Sequence, residues 1–397
     1  MRFVHIADMH LGMLPDKGRS WSDRRAKELW DTFAEVISYC RDTCPELLLV
    51  AGDMFHKQPL LKELKSVNQE FASIPSTRVV IIAGNHDYIS GNSFYRRFEW
   101  SENVRFIASS EVESVYFEDI DTQVYGCSYL NREYREAAFD GLKPEHTDRI
   151  NILLGHGGDE GNLPIDWKGL ARAGFDYVAM GHIHKPQDMA ANIRYCGSPE
   201  PLDKNETGAH GFIVGEITKA GEVSADKDSV ASFAQSPDTT AEDKQKVSDG
   251  AGDKVTDIAE FVSDSGKKVV SYRRNCAKRQ YIKAELTVAP DDTELTLRQR
   301  ISALIRERGA ANIYCIGLMG ERSPDVVFEY DGISDLGLVL ELNDKSLPKL
   351  DFERLAAQNS DNVIGHFIDS MRVGCADDPI REKALYMGVM ALTGRNF

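Results

Sequence analysis

The first 200 residues repeat one pattern: a short, mostly aliphatic run that stops at a Gly, Asp, Asn or His. The runs are Arg2–Ala7, Leu47–Ala51, Arg78–Ala83, Asp121–Cys127, Ile150–Leu154 and Tyr177–Met180. Most lack polar alternation, as expected of strands buried on both faces. Between the first two, Leu29, Trp30, Phe33, Val36, Ile37 and Cys40 share one face of a helix predicted from about Asp23 to Arg41, with Ser22 as its N-cap. Strands alternating with helices build a layered α/β domain.

After a strand expected at Gly211–Ile217 the composition changes. Residues 222–265 hold eleven Asp and Glu against four Lys and little apolar periodicity, which reads as an acidic, flexible insertion with at most a weak helix at Val255–Val262. From Val269 the pattern returns: a strand to about Thr287, a helix from Glu294 to Arg308, and strands near Ile313–Leu318 and Val326–Tyr330. The segment from Asp351 reads as helical, with Leu385, Val389 and Leu392 as one stripe. The resulting division is a first domain over 1–223, an insertion over 224–266, a small α+β domain over 267–347 and a helical segment over 348–397.

Five of the strands are followed by polar motifs: Asp8-Met9-His10, Gly52-Asp53-Met54-Phe55-His56, Gly84-Asn85-His86-Asp87, Gly155-His156-Gly157 and Gly181-His182-Ile183-His184. Six of the ten histidines lie in them. In open α/β sheets, loops beyond the carboxyl ends of strands are where sites assemble. Carboxylate, imidazole and amide oxygen together suit Mn²⁺, Fe²⁺ or Zn²⁺, and the lack of thiolates argues against structural zinc. So many donors exceed one tetrahedral ion and suit two. A pair of ions ~3.5–4 Å apart, bridged by one carboxylate, clamps a phosphoryl group and acidifies a bridging water. Each motif alone is weak, since Asp-x-His at a strand end is more often a capping pair. All five in this order carry the inference.

That order resembles the calcineurin-like metallophosphoesterases. More narrowly, Phe3 to Gly12, Ala51 to His56, Gly181 to Gln187 and Tyr195 to Pro201 are similar to the SbcD-type nucleases of DNA double-strand-break repair and their bacterial YhaO-like group. The resemblance is strong over 1–217 and looser to about 345. It implies a metallophosphoesterase β-sandwich flanked by helices, with an α+β cap domain and C-terminal helices. It also implies that Asp8, His10 and His184 hold one ion, that Asn85, His156 and His182 hold another, and that Asp53 bridges them. His86 then protonates the leaving oxygen or stabilises charge on it, His56 supports the phosphate or the transition state without binding metal, and Asp87 orients His86. The implied activity is a Mn²⁺-dependent DNA exo- or endonuclease, in which a hydroxide bridging the metals attacks the phosphodiester. The implied partners are linear duplex ends or single strands of DNA and a Rad50-like SMC-type ATPase, with a homodimer as a further association.

Composition bounds these readings. A net charge of −16 counts against tight, unaided binding to nucleic acid, because phosphate neutralisation supplies most of that affinity. It leaves a small-molecule phosphodiesterase or phosphomonoesterase as the alternative, and a non-enzymatic scaffold for the ATPase as a third reading, which the complete donor set opposes. Arg273, Arg274, Lys278 and Arg279 form a basic cluster that serves either as a solvated strand face or as a phosphate contact. His5, His146, His210 and His366 fall outside the motifs and read as structural or surface residues. Seven scattered cysteines, no leader pattern and no long apolar run point to a cytoplasmic protein without a membrane partner.

Overall fold

Successive residues of a strand face opposite sides of its sheet, and in the first strands both sides are apolar. The strands are β1 (Arg2–Ile6), β2 (Leu47–Ala51) and β3 (Arg78–Ile82). Phe3, Leu47, Leu49, Val80 and Ile82 enter one core, whereas Val4, Ile6, Leu48, Val50, Val79 and Ile81 enter another. The second core is closed by helices α1 (Ser22–Thr43) and α2 (Leu61–Ala72), through Leu29, Phe33, Val36, Ile37, Leu64, Val67 and Phe71. The first core is shared with a second sheet. There Ile152 and Leu154 of β7 (Ile150–His156) and Tyr177 and Ala179 of β8 (Tyr177–Gly181) face inward, while Leu153, Val178 and Met180 pack on the outer side with Leu170 of a short helix α3 (Trp167–Ala171). The result is two sheets face to face with helices outside.

This computed structural model describes residues 1–219, 255–372 and 379–394. They divide into two units, Met1–Ile282 and Lys283–Phe397. In the first unit the remaining strands are β4 (Val104–Ile107), β5 (Glu113–Phe117), β6 (Thr122–Gly126), β9 (Gln187–Ala190), β10 (Ile193–Tyr195), β11 (Gly211–Thr218), β12 (Val255–Val262) and β13 (Lys268–Asn275). One sheet has the order β12-β13-β11-β1-β2-β3-β4, parallel from β1 to β4; the other runs β5-β6-β7-β8-β10-β9, parallel from β6 through β8 to β10. Among the described residues no helix is long and apolar enough to cross a membrane.

Several expectations need correction. The weak helix at Val255–Val262 is β12, an edge strand paired antiparallel with β13 and broken by an irregularity between Thr256 and Ala259. The expected acidic insertion lies, up to residue 254, outside the described residues. The single strand from Val269 to Thr287 is two strands, β13 and β14 (Tyr281–Val288). Val269 and Val270 fill the two cores of the first unit, so β13 belongs there and the second unit begins at Lys283. In that unit α4 (Glu294–Arg308) is capped by the Thr293 hydroxyl, which accepts from Thr296 N at 3.2 Å, and buries Leu297, Ile301 and Ile305. β15 (Ile313–Arg322) forms as expected and lies between β14 and β16 (Leu338–Asp344), whereas Val326–Tyr330 forms no strand and Val327 is exposed. The C-terminal helices are Phe352–Gln358, Val363–Arg372 and Pro379–Leu392; Leu385 and Val389 pack against Ile368, but Leu392 is exposed.

Ser22 is not the N-cap of α1; its hydroxyl donates to the Asp16 carbonyl, and Trp21 holds the cap position. Arg25 is wholly buried and donates to Glu28 (2.8 Å), to Glu200 (3.2 Å) and to the Pro201 carbonyl. In the basic cluster the three arginines, Arg273, Arg274 and Arg279, are buried, whereas Lys278 is exposed. Arg279 pairs with Glu28, Arg273 with Asp188 and Asp257, and Lys278 with Glu35, while Arg274 lies 4.9 Å from the centre of the Tyr39 ring. The three arginines are therefore not a solvated strand face.

Arg25→Ala leaves two buried carboxylates facing a lost cation. Removing one partner of a buried pair typically costs about 3–5 kcal/mol, so the urea unfolding midpoint of the first unit is expected to fall markedly. An unchanged midpoint would show that Arg279 alone neutralises the cluster.

Candidate metal centre

The polar motifs sit at the carboxyl ends of five strands whose bodies have no room for charge. Asp8 and His10 follow β1, Asp53 follows β2, Asn85 to Asp87 follow β3, His156 ends β7, and His182 and His184 follow β8. Because β1-β2-β3 and β7-β8 are neighbours in facing sheets, their ends converge on one rim. The chain turns sharply there. Asp8 (φ 51°), His10 (φ 45°), Asp53 (φ 49°) and His182 (φ 97°) all lie in the left-handed region, which costs a non-glycine residue about 1–3 kcal/mol and gathers at functional sites. Backbone bonds between the motifs hold the turns: Asp8 N donates to Gly52 O (3.1 Å) and His10 N to Asp53 O (3.0 Å).

All seven expected ligands come together in two groups sharing one carboxylate. In the first, His10 Nε2 and His184 Nε2 face each other at 3.0 Å, and donor atoms of Asp8, His10 and His184 lie within 4.8 Å of one another. In the second, the Asn85 Oδ1 is 3.0 Å from His156 Nε2 and 3.3 Å from His182 Nδ1. Asp53 Oδ2 reaches both groups, 3.2 Å from His156 Nε2 and 3.7 Å from His10 Nε2, while its Oδ1 accepts from His86 N at 2.8 Å.

The imidazoles test whether this set suits cations. His156 Nδ1 lies 2.8 Å from the Ala51 carbonyl, His182 Nε2 2.7 Å from Asp159, and His184 Nδ1 2.7 Å from Glu206. Each of those contacts calls for an N–H, which leaves the opposite nitrogen as a bare lone pair directed at other acceptors. Lone pairs, a carbonyl oxygen and two carboxylates that converge in a buried space repel one another unless positive charge lies among them. The proton affinities of two imidazoles agree, while burial lowers those of His10 and His182. Burial disfavours the charged forms of His156 and His184, yet Asp53 and Asp8 beside the first, and Glu206 and Asp8 beside the second, outweigh it and raise both to about 9. Burial works against an ionised Asp53 too, and the charge of His156 overrides it, holding the carboxyl below its usual range. The donor set therefore fits two divalent ions, one per group.

Two further histidines line the rim. His86 is half-buried, with Nδ1 3.1 Å from the His56 carbonyl, so its Nε2 is the nitrogen left for other work. The His56 ring stacks on it at 5.2 Å, and its Nδ1 is 3.4 Å from His10 Nδ1. Asp87 departs from expectation because it does not orient the His86 imidazole. Its Oδ1 accepts from Gly84 N (2.8 Å), and its Oδ2 from Phe55 N (3.2 Å) and the Tyr95 hydroxyl (2.9 Å). Fully buried, it staples the loop after β2 to the loop after β3. Of the remaining histidines, His5 is buried against the Tyr177 hydroxyl, and His210 against Ser198 and Glu206. Asp159 and Glu206 fall outside the motifs read from sequence. Asp159 lies three residues after His156 in a glycine-rich stretch, a faint signal, whereas Glu206 sits in a polar loop without one.

Residues 1–186 match the family described as calcineurin-like phosphoesterase. The chain is 31% identical over 222 residues to the DNA double-strand break repair protein Mre11 of Methanocaldococcus jannaschii, covering 52% of this chain and 58% of that one. It is 30% identical over 240 residues to the metallophosphoesterase YhaO of Bacillus subtilis, described as uncharacterized, covering 55% and 58%. With the SbcD component of the nuclease SbcCD of Bacillus subtilis it shares 27% over 256 residues, covering 52% and 64%. The matched region thus spans little more than half the length of these relatives.

Gly52 tests the geometry. Its φ is +85°, and a methyl group there would lie 2.4 Å from His156 Nδ1. Gly52→Ala must displace that ring, and misplacing a donor's support typically costs ~10–100-fold in ion affinity. Calorimetric titration with Mn²⁺ should show that loss, and unaltered affinity would remove His156 from the centre.

Proposed function

We propose that this chain, whose residues 1–186 match the calcineurin-like phosphoesterase family, is a two-metal phosphodiesterase whose substrate is a DNA phosphodiester. The observation that carries the reading is the convergence of seven donors from five strand ends into two groups around the shared carboxylate of Asp53. In this reading Asp8, His10 and His184 hold one divalent ion, Asn85, His156 and His182 the other, and Asp53 touches both. Mn²⁺ suits the donors, as do Fe²⁺ and Zn²⁺. When bound, the ions supply Lewis-acid polarisation of the phosphoryl oxygens and acidify the attacking water.

The remaining work falls to the chain. The Asp53 carboxylate ties His86 to the centre through its backbone N–H, and the His56 carbonyl fixes the His86 ring by Nδ1. His86 Nε2 is therefore the atom that hands a proton to the leaving oxygen as its bond to phosphorus breaks and the water oxygen's bond forms. His56, stacked beside it, supports the phosphate. Asp87 acts only through the loops that it staples together.

DNA as substrate rests on similarity to proteins named for double-strand break repair and as a nuclease. The relative named as one component of SbcCD supports a partner for this chain as well, a Rad50-like ATPase in our reading, with a homodimer as a second association. One observation favours the alternative of a small phosphate ester. The basic residues Arg273 and Arg279, candidates for gripping a DNA backbone, are committed to internal carboxylates. A chain of net charge −16 then draws its hold on DNA from the partner.

The test is Mn²⁺-dependent cleavage of end-labelled duplex and single-stranded DNA, with a small phosphodiester in parallel. Loss of a general acid typically costs ~10²–10⁴-fold, so His86→Ala should lower turnover by that much and chelation should abolish it. Turnover of the small ester with DNA left intact, even with the ATPase added, would decide for the alternative.

A further inference from the structure

Two carboxylates outside the expected ligand set carry a second assignment, which rests on the metal-centre reading above. We propose that Glu206 and Asp159 are positioning residues, each fixing the tautomer of one ligating histidine, one in each group of donors.

The same division of labour appears in both. Each carboxylate anchors one oxygen in its own loop and offers the other to an imidazole. Glu206 Oε2 accepts from Leu202 N at 2.7 Å and lies 3.4 Å from the Ser198 hydroxyl, while Oε1 meets His184 Nδ1 at 2.7 Å. Asp159 Oδ1 accepts from Gly161 N (2.8 Å) and Asn162 N (2.9 Å), the Asn162 side chain lies 3.2 Å from both of its oxygens, and Oδ2 makes its shortest contact, 2.7 Å, with His182 Nε2. A carboxylate that only fastened its loop would not need to place its second oxygen in line with a ring nitrogen.

The two imidazoles are gripped at opposite atoms. His184 is held at Nδ1 and presents Nε2; His182 is held at Nε2 and presents Nδ1 toward Asn85. A neutral imidazole exists as two tautomers of similar energy, and only one puts a lone pair toward the donors. The partner decides which. Each carboxylate also reaches a histidine from a different segment: Asp159 follows β7 and grips the motif after β8, whereas Glu206 precedes β11 and grips the same motif at its other histidine.

The two contacts differ in solvent access. The Glu206 side chain is 14% exposed and that of Asp159 49%. Water competes for the second contact, so its loss should matter less. Outer carboxylate partners of ligating histidines typically carry ~10–100-fold in ion affinity, and the expectation is the upper end for Glu206 and the lower end for Asp159.

The experiment uses the full chain. Calorimetric Mn²⁺ titrations of wild type, Glu206→Ala and Asp159→Ala are combined with ¹⁵N-histidine spectra of the Zn²⁺-loaded forms. Wild type should bind two ions, with His184 bound through Nε2 and His182 through Nδ1. Glu206→Ala should weaken one binding event ~100-fold and scramble only the His184 nitrogen assignment; Asp159→Ala should weaken the other ~10-fold and scramble only that of His182. Glu206→Gln and Asp159→Asn keep an accepting oxygen and should recover most of the loss, which also separates tautomer control from failure to fold. Two ions bound by both alanine variants as tightly as by wild type, with unmoved nitrogen assignments, overturn the inference and leave the metal centre standing. A wild type that binds no Mn²⁺ overturns the metal centre itself.

Discussion

A strand with apolar neighbours on both faces has only its ends left for chemistry. In β1, β2 and β3 every second residue is committed to the core between the sheets and the rest to the core beneath the helices. A carboxylate inserted along those strands would bury a charge that nothing offsets, and the imidazole that β1 does carry, His5, is held toward its neutral form by burial against the Tyr177 hydroxyl. The donors are therefore confined to the carboxyl rim, where the chain must also turn at once. Strain in the left-handed residues Asp8, His10, Asp53 and His182 follows from that confinement.

Burying several acceptors together at the rim is unfavourable in itself, and the surroundings show how the fold tolerates it. Carbonyls and carboxylates on the outside of the cluster take up the imidazole N–H groups, and backbone N–H groups satisfy the carboxylate oxygens that face away from the centre, as with Asp53 and His86 N. Asp8 is typical: burial raises its proton affinity, and two contacts from His182 N at 3.0 and 3.1 Å support the ionised form. What the protein leaves unsatisfied points inward. Away from the rim the same logic applies with the signs matched internally, as in the Arg25, Glu28, Glu200 and Arg279 set.

Much of the layered core was legible because an aliphatic run ending in Gly, Asp or His is a local signal. The strands at Leu47–Ala51 and Arg78–Ile82 and the helix at Glu294–Arg308 lie where periodicity put them. The strand β12 was not legible, since an edge strand carrying Asp257 and Glu260 has half its periodicity erased by solvent. Nor were the basic residues: Arg279 meets Glu28 across 251 positions, and no local pattern announces such a partner. The motifs brought their polar residues to one rim, but adjacency misled at Asp87, whose neighbour His86 points one way while its own carboxylate points beneath the loops. Asp159 left only a faint mark in the sequence and Glu206 none, because an outer partner is defined by a contact in space, and its residue type is ordinary in a loop.

The donors are drawn from positions 8 to 184, so no hairpin or single βαβ unit of this chain owns a complete set. A cation can be held only after both sheets have formed and closed on each other. Occupancy of the centre is then linked to folding of the first unit as a whole: a ligand at 100 times its dissociation constant adds about 2.7 kcal/mol to native stability. In the proposed two-metal reading, ions held here would serve as clasps as well as reagents, and metal supply in the surroundings would set how long this protein resists heat and proteolysis as much as how fast it turns over.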